Sequence, residues 1–492
     1  QVSRSRRLGG RLMLASFLEG LGSMYMAGAI AAASRVDPAH VYPPPVAARS
    51  ALDALPSPPG RPLVGHLPDF ARDTLGFVEA AAREHGDMVR FRLGRWEAVL
   101  LNHPYLVEEV LVRDPWNWIK HTFFWRHVGA IFGKGLLTNE GQPWLHQRRL
   151  VQPAFRHDRL EAYAATMVDY TLRRIERWED GAEIDVRAEM TSLTFEIVAK
   201  VLFDADVAGD VAEIGAAFDT GIEEIGRRFR RPIRIPDRVP TPGNLRYRRS
   251  VARMDALIER IVAEHREGCA GPDDLLSDLM AARDEEGRPM PEEQLRDEVI
   301  TLLLAGHETT ALALTWTWWL LARHPGVDRR LADAVEAAVG SGAPGVADVP
   351  RLGYVEHVVK ESMRLRPPAY SFGREAVEPC EVGGREIPAG TTVFVFPWLL
   401  HRDVRWFEKP LTFDPDRWEG ELEESLPRAA YLPFGAGPRI CVGRHFAMIE
   451  AVLIVATIAA RWRIEWGPAD PRPFPSITLR PTGGLTARLR SR

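Results

Sequence analysis

Residues 434–443 of the chain read FGAGPRICVG and enclose Cys441. Gly435 and Gly443 remove side chains near the sulfur, which would let a flat cofactor approach the backbone. They also leave backbone N–H groups free to point at the sulfur, while Phe434 can pack against its shielded side. The stretch therefore predicts a cysteine thiolate that binds a cofactor; the alternative is an inert cysteine in a glycine-rich turn.

Composition excludes several classes of protein. The chain has 492 residues, of which 46% are hydrophobic and 26% charged, values typical of globular rather than disordered or fibrous proteins. Lys and Arg number 63 and Asp and Glu 67, a net charge of −4 that argues against a dedicated nucleic-acid binder. Cys269 and Cys380 lie too far from Cys441 and from each other for a disulfide framework or a CxxC zinc site. We therefore expect a reducing, cytoplasmic location.

Residues 1–50 are predicted to form an extension outside the main domain, which would span residues 51–492. Residues 12–34 are mostly small and apolar, follow four arginines and contain Glu19. Their length would suffice to span a membrane, but a charge in hydrocarbon is costly. The segment therefore predicts a surface-lying, amphipathic helix with at most peripheral membrane association, and a true membrane anchor is the alternative. Prolines at positions 43–45 are typical of a stiff linker.

Helical periodicity dominates the main domain, so a mainly α fold with a small β lobe is predicted. The clearest helix covers residues 292–323, because Pro291 stands at its start and Pro325 follows its end. Its middle is apolar on every side, so this helix must cross the centre of the protein. The other predicted helices cover residues 105–112, 144–150, 159–178, 189–202, 245–266 and 446–459, with a loop at 227–242. The predicted strands cover residues 89–93, 98–101, 391–396, 477–479 and 485–489.

The stretch around Cys441 resembles the haem-binding signature of the cytochrome P450 superfamily at every defining position. The matching residues are Phe434, Gly437, Arg439, Cys441 and Gly443. Further marks of the family follow in order over about 430 residues, beginning with Pro-Pro-Gly at 58–60. The resemblance implies the P450 fold, with haem b between the central helix and the helix after Cys441. Phe434, Gly435 and Gly443 would contact the haem, and the Cys441 thiolate would ligate its iron and favour O–O cleavage of bound dioxygen.

The resemblance also implies residues that hold the haem propionates, which need cations or strong donors. The family's WxxxR pattern is present at Trp144 and Arg148, one helical turn apart. Arg439 is the expected third contact and Arg374 the fourth.

A second set of charged residues is expected to be structural. Glu361 and Arg364 lie three positions apart on one helical face. The resemblance implies that Arg417, in the stretch FDPDRW, joins them and locks the haem-binding region. We expect no chemistry from these three residues.

Polar residues interrupt the apolar middle of the central helix at positions 305–310, which read AGHETT. The Thr309 hydroxyl can bond the carbonyl one turn back and loosen the helix, and Gly306 would let a ligand approach closely. We therefore predict a local opening that holds oxygen and an ordered water. The acid–alcohol pair Glu308 and Thr309 resembles the family's proton relay; the alternative is a threonine bonded to the backbone and a glutamate paired at a kink. His307 lacks the second histidine of an HExxH zinc motif, so we expect it to pack against a neighbouring element.

Predicted pocket walls are almost entirely apolar. Residues 116–132 carry six aromatic side chains and resemble the variable loop that covers the pocket in the family. The pocket residues we select are Phe123, Phe124, Leu302, Ala305, Ala369, Phe372 and Ile477. An apolar pocket binds by burial, so a lipophilic substrate is expected: a fatty acid, terpenoid, steroid or polyketide.

The resemblance predicts a monooxygenase that inserts one oxygen atom from O2, by hydroxylation or epoxidation. Its electrons would come from NAD(P)H through a separate ferredoxin or flavodoxin with a reductase. We expect that partner to dock on a basic face near Cys441. The arginines assigned to this face are Arg148, Arg149, Arg156, Arg439 and Arg444. The alternatives are a haem-thiolate peroxygenase or isomerase and a non-enzymatic haem sensor.

Overall fold

The computed structural model describes residues 49–120, 122, 132–229, 236, 239–268, 274–283, 287–340 and 342–492. Over these residues the chain is mainly helical with small β-sheets, as the sequence predicts. The predicted extension lies outside the described residues up to position 48, and Cys269, Phe123 and Phe124 lie outside them as well.

The α-helices are α1 (Arg49–Leu52), α2 (Leu67–Arg72), α3 (Thr74–His85), α4 (Pro104–Glu108), α5 (Gly141–Val151), α6 (His157–Ile175), α7 (Val186–Phe203), α8 (Val211–Phe229), α9 (Pro242–Arg266), α10 (Leu275–Ala281), α11 (Glu292–Arg323), α12 (Pro325–Val339), α13 (Gly353–Leu365), α14 (Pro397–Leu400), α15 (Leu422–Ser425) and α16 (Arg444–Ala459). The strands are β1 (Met88–Leu93), β2 (Trp96–Leu101), β3 (Trp118–Ile119), β4 (Glu183–Asp185), β5 (Phe372–Ala376), β6 (Cys380–Val382), β7 (Arg385–Ile387), β8 (Thr392–Val395), β9 (Trp462–Trp466), β10 (Arg472–Pro475), β11 (Leu479–Thr482) and β12 (Thr486–Ser491).

Helix α11 crosses the centre of the molecule, with the bounds that the sequence predicts. Pro291 is its N-cap residue, and His324, followed by Pro325, ends it. Nearly every residue from Val299 to Leu321 is buried in the largest hydrophobic cluster, where α7 packs most closely against it. Among the described residues α11 is the one helix long and apolar enough to cross a membrane, yet 83% of its most apolar window is buried inside the protein. Its apolar character therefore reflects its place in the core.

The β lobe is built around a five-stranded sheet in the order β1-β2-β8-β5-β3. Strands β2 and β8 run parallel, and the other neighbours run antiparallel. Strand β5 carries Arg374 and lies one strand from the edge, so the sheet fixes this side chain in the interior.

The hairpin of β10 and β11 packs into the helical part of the molecule. The Trp316 indole on α11 donates to the carbonyl of Leu479 at 3.1 Å, and the Leu479 N–H donates to the carbonyl of Pro368 at 2.9 Å. The Tyr370 hydroxyl donates to the carbonyl of Ser476 at 2.8 Å. These three bonds hold the hairpin against α11 and against the segment after α13.

Some predicted boundaries are wrong. The predicted helix 105–112 is divided into α4 and a π-helical turn, Glu109–Arg113. Residues 227–229 of the predicted loop belong to α8, a helix that the sequence analysis missed. The strand predicted at 477–479 begins only at Leu479, because the preceding residues form the turn of the hairpin.

Candidate functional site

Cys441 lies in a tight loop just before α16. The Cys441 N–H donates to the carbonyl of Phe434 at 3.0 Å. Gly437 has φ +68°, and a Cβ there would lie 1.7 Å from the carbonyl oxygen of Leu111, so only glycine fits. The backbone N–H of Gly443, the N-cap residue of α16, bonds to the sulfur and acts to lower the pKa of the thiol. The loop therefore points a backbone donor at the sulfur, as the glycines predict.

The Cys441 residue is accessible although protein surrounds it. Cys441 is exposed, but burial by its surroundings still raises the pKa of its thiol. Arg148 favours the thiolate through its charge, and its Nη1 donates to the carbonyl of Ile440 at 2.7 Å. Arg148 thus contacts the loop that carries the sulfur, and its contact with a propionate stays a prediction.

Arg439 is held by two neighbours of the loop that leads into α5. Its guanidinium lies 4.0 Å from the ring centre of Trp144. It forms an ion pair with Glu140 and donates to the carbonyl of Asn139 at 2.9 Å. The other oxygen of Glu140, Oε1, accepts the backbone N–H of Lys120 at 2.6 Å.

Lys120 and Arg374 extend this group of cations. Burial, with repulsion from Arg374 and Arg439, lowers the pKa of Lys120 well below its usual value. Burial, with repulsion from Arg439, lowers the pKa of Arg374 to about 10. Arg374 and Arg439 line one cavity together with Trp144 and Glu140. Because several buried cationic side chains share one carboxylate, these residues fit a ligand that brings carboxylates, as haem does with its propionates.

One face of α11 is partly accessible. Ala305, Gly306 and Thr309 are partly exposed, although the neighbouring turns are buried. Leu302 lies one turn before this face and is buried. Thr309 and the predicted pocket residue Ala305 therefore lie on the accessible side of α11.

The predicted opening of α11 is wrong. The helix is continuous over Glu292–Arg323, and the Thr309 hydroxyl donates to the carbonyl of Ala305 at 2.7 Å as an additional bond. A Cβ on Gly306 would lie 3.2 Å from the side chain of Val198, so this glycine permits the close approach of α7. Its small size is explained by helix packing.

Glu308 is held by the β10–β11 hairpin. Its Oε1 accepts bonds from Arg480 Nε at 2.7 Å and from the Thr478 hydroxyl at 2.9 Å. Arg480 also donates to Asp219 on α8 at 2.7 Å, and Asp219 in turn accepts from Arg187 at 3.1 Å. Glu308 is thus paired with a buried cation and connected through it to a half-exposed carboxylate.

His307 packs, as expected. Its Nδ1 lies 2.8 Å from the carbonyl of Leu303, and its ring contacts the edges of Phe195 and Phe218. Burial lowers the pKa of His307, which favours the neutral ring.

Glu361, Arg364 and Arg417 come together in the core. Arg364 forms two bonds of 2.8 Å with the Glu361 carboxylate, and both side chains are fully buried. Arg417 Nε and the Trp418 indole donate to the same carboxylate, each at 3.0 Å. The Asp414 N–H donates to it as well, so α13 is fixed to the segment that precedes the Cys441 loop.

The other predicted pocket residues lie near the hairpin and strand β5. Ala369 is exposed between two buried neighbours, and Phe372 and Ile477 are partly exposed. The bond from Tyr370 to Ser476 brings the segments of Ala369 and Ile477 together.

The basic face is smaller than predicted. Arg149, Arg156 and Arg444 are exposed. Arg439 is turned inward by its pairing with Glu140, and Arg148 by its bond to the loop.

Sequence reasoning missed Lys120, Glu140 and Arg480, and it placed residues 476–478 in the pocket wall without the bond from Thr478 to Glu308. Glu140 and Arg439 are 299 positions apart, and Glu308 and Arg480 are 172 positions apart. The one local signal was the spacing of Glu140, one helical turn before Trp144.

The chain is similar to known proteins along most of its length. The cytochrome P450 family model matches residues 55–486. Cyclooctatin synthase of Streptomyces melanosporofaciens is 40% identical over 432 residues, 86% of this chain and 91% of the relative. Cyclooctat-9-en-7-ol 5-monooxygenase of the same organism is 36% identical, over 86% of this chain and 90% of the relative. Pentalenene oxygenase of Streptomyces avermitilis is 34% identical, over 89% and 97%. This chain is therefore a haem-binding monooxygenase that belongs to the cytochrome P450 family.

Proposed function

We propose that this protein hydroxylates a cyclic terpenoid at a haem ligated by Cys441. The observation that carries the proposal is the accessible Cys441 thiol, with a backbone N–H from Gly443 directed at its sulfur. The terpenoid substrate is supported by the three relatives, whose names include a pentalenene oxygenase and a cyclooctatin synthase. The apolar walls contributed by Leu302, Ala305 and Ile477 suit a hydrocarbon skeleton.

Haem would supply an iron whose bond to the Cys441 thiolate favours cleavage of the O–O bond of dioxygen. The loop would set the strength of that thiolate, because the Gly443 N–H and the Arg148 charge both stabilise negative charge on sulfur. Trp144, Arg374 and Arg439 would hold the propionates.

In this proposal Thr309 and Glu308 deliver protons. The Thr309 hydroxyl lies on the partly exposed face of α11, where it could hand on one proton while it accepts another. Glu308 is the ion-pair partner of Arg480, so it would have to leave that cation and take up a proton from water before it could pass one to Thr309.

Electrons come from a separate ferredoxin or flavodoxin with its reductase. The exposed Arg149, Arg156 and Arg444 favour an acidic partner on the face next to Cys441. A cytoplasmic location accords with such partners.

Substrate binding to the ferric holoprotein tests the proposal. Cyclic terpene hydrocarbons and alcohols, a fatty acid, a steroid and a macrolide are titrated at equal concentrations while the low-spin to high-spin change is recorded. We expect a spin shift with cyclic terpenoids at concentrations about tenfold lower than with the other classes, a difference of about 1.4 kcal/mol in binding. Equal or stronger shifts with the fatty acid or steroid would overturn the substrate class.

Turnover and ligation complete the test. With NADPH and surrogate redox partners, the best terpenoid should gain one oxygen atom. Cys441→Ser should lose the ferrous–CO spectrum of a thiolate-ligated haem. Retention of that spectrum would place the ligand elsewhere, whereas turnover with peroxide alone would favour a peroxygenase.

A further inference from the structure

Glu140 lies among the cations that border the haem side of the structure. Its carboxylate pairs with Arg439 through one oxygen and accepts the Lys120 N–H through the other. Its charge also acts on the Lys120 ammonium and on the Arg374 guanidinium. One carboxylate therefore touches or faces all three cations.

The charges of this group do not balance within the protein. Arg374 and Arg439 both face the single carboxylate of Glu140, and the Lys120 side chain lies beside them. The cationic groups therefore outnumber the carboxylate, which leaves room for an anionic group such as a haem propionate.

We propose that Glu140 is a positioning residue that holds the cations expected to bind the propionates, and that its negative charge lowers the reduction potential of the haem iron. It holds Arg439 against the ring of Trp144 and anchors the segment that carries Lys120. A negative charge in this partly buried place stabilises the ferric state, which has one more positive charge than the ferrous state. The proposal rests on haem binding by this fold and is independent of the substrate.

Two substitutions of Glu140 separate the effect of its charge from the effect of its shape. In Glu140→Gln the side chain keeps its size and one acceptor oxygen but loses its charge. In Glu140→Asp the charge stays while the reach shortens. If the charge of Glu140 is decisive, the two variants should differ in the reduction potential of the haem iron.

Glu196 offers a matched control. Glu196 on α7 forms an ion pair with Arg174 on α6, and their side chains are 17% and 15% exposed. The corresponding values for Glu140 and Arg439 are 17% and 16%. Glu196→Gln therefore removes an equally buried acid from an equally buried arginine outside the cation group.

Spectroelectrochemical titration of the substrate-free holoproteins tests the proposal. The measured step is the one-electron reduction of ferric to ferrous haem by dithionite in the presence of mediators. We expect Glu140→Gln to shift the equilibrium toward the ferrous form by up to about tenfold, which is about 59 mV for one electron. Glu140→Asp and Glu196→Gln should stay close to the unmodified protein.

Haem retention gives a second readout, measured as the rate of haem transfer to excess apomyoglobin. Transfer should be faster from Glu140→Gln than from Glu140→Asp. Equal potentials in Glu140→Gln and the unmodified protein, or an equal shift in Glu196→Gln, would overturn the proposal. Loss of haem from both Glu140 variants would also overturn it, since shape rather than charge would then be decisive. None of these results depends on finding a terpenoid substrate.

Discussion

Thr309 differs from the other threonines of α11 in where its hydroxyl lies. Thr309, Thr315 and Thr317 each donate to the carbonyl four residues earlier, all at 2.7 Å. Thr309 is partly exposed, whereas Thr317 is fully buried. The same hydrogen bond is therefore made in the core by Thr317 and on the accessible side of the helix by Thr309.

Thr309→Ala should uncouple electron consumption from product formation. Without the hydroxyl, protons reach bound oxygen less efficiently, and a larger share of NADPH should end as hydrogen peroxide. The measurement is peroxide and product per NADPH consumed, with Thr317→Ala as the control that removes an equivalent bond from the core. Unchanged coupling in Thr309→Ala would rule out its part in proton delivery.

Several residues could be assigned from sequence because their partners are local or their spacing is specific. Cys441 was identified from its glycines, and Glu361 with Arg364 from their separation on one helical face. Glu308 shows the limit of this reasoning. Its acidic character in an apolar helix was visible, but its counter-ion, Arg480, comes from a hairpin whose docking no periodicity specifies.

At the scale of elements, α16 carries an acid that the proposed chemistry does not use. Glu450 is fully buried, and neither of its carboxylate oxygens has a hydrogen-bond partner within the described part of the chain. Burial raises the pKa of Glu450 to about 8, which the nearby Thr310 hydroxyl only partly offsets. Burial in α16 therefore keeps this carboxyl in its neutral form over much of the physiological pH range.

Glu450→Gln should change how stability depends on pH. In the unfolded chain this group ionises near 4.5, whereas in the folded protein it keeps its proton until about pH 8. The folded state therefore loses relative stability as pH rises from 4.5 to 8, by up to about 1.4 kcal/mol per unit, and the loss levels off above that range. The variant lacks this loss, so its melting temperature relative to the unmodified protein should rise across that window.

The comparison requires melting temperatures from pH 5 to 9. Glu465→Gln, at a partly exposed position on β9, serves as the control and should follow the unmodified protein. A constant difference between Glu450→Gln and the unmodified protein at all pH values would contradict the assignment of a neutral, buried carboxyl.

For the whole molecule, the exposed arginines near Cys441 define where electrons are expected to enter. Reversing the charge of Arg149, Arg156 and Arg444 together should slow the first reduction by an acidic ferredoxin. The effect should fade at high salt, because screening acts on exposed charges. Stopped-flow reduction at several ionic strengths measures it, and the same reversal at Arg472 on β10 is the control. Equal slowing by Arg472→Glu would contradict a specific docking face.

The arrangement of the whole molecule could be predicted where the hydrophobic pattern is long. Prediction failed where the contacts join segments that are distant in the sequence. Helix α11 was predicted with its observed bounds because its apolar middle and its flanking prolines leave little choice. Glu140 was not identified, since its meaning depends on Arg439 in a loop 299 positions later. Glu140 and Arg439 come together only when the two distant parts of the domain have folded against each other.

The pairing of Glu308 with Arg480 has a consequence for biosynthesis. The two residues are 172 positions apart, so the ribosome translates the acid long before its counter-ion. Until the hairpin is translated and docks, a growing polypeptide must leave this carboxylate in water or keep it protonated. The environment of Glu308 is therefore completed only after the hairpin has been translated, and a truncated translation product without the hairpin should leave this carboxylate without its counter-ion.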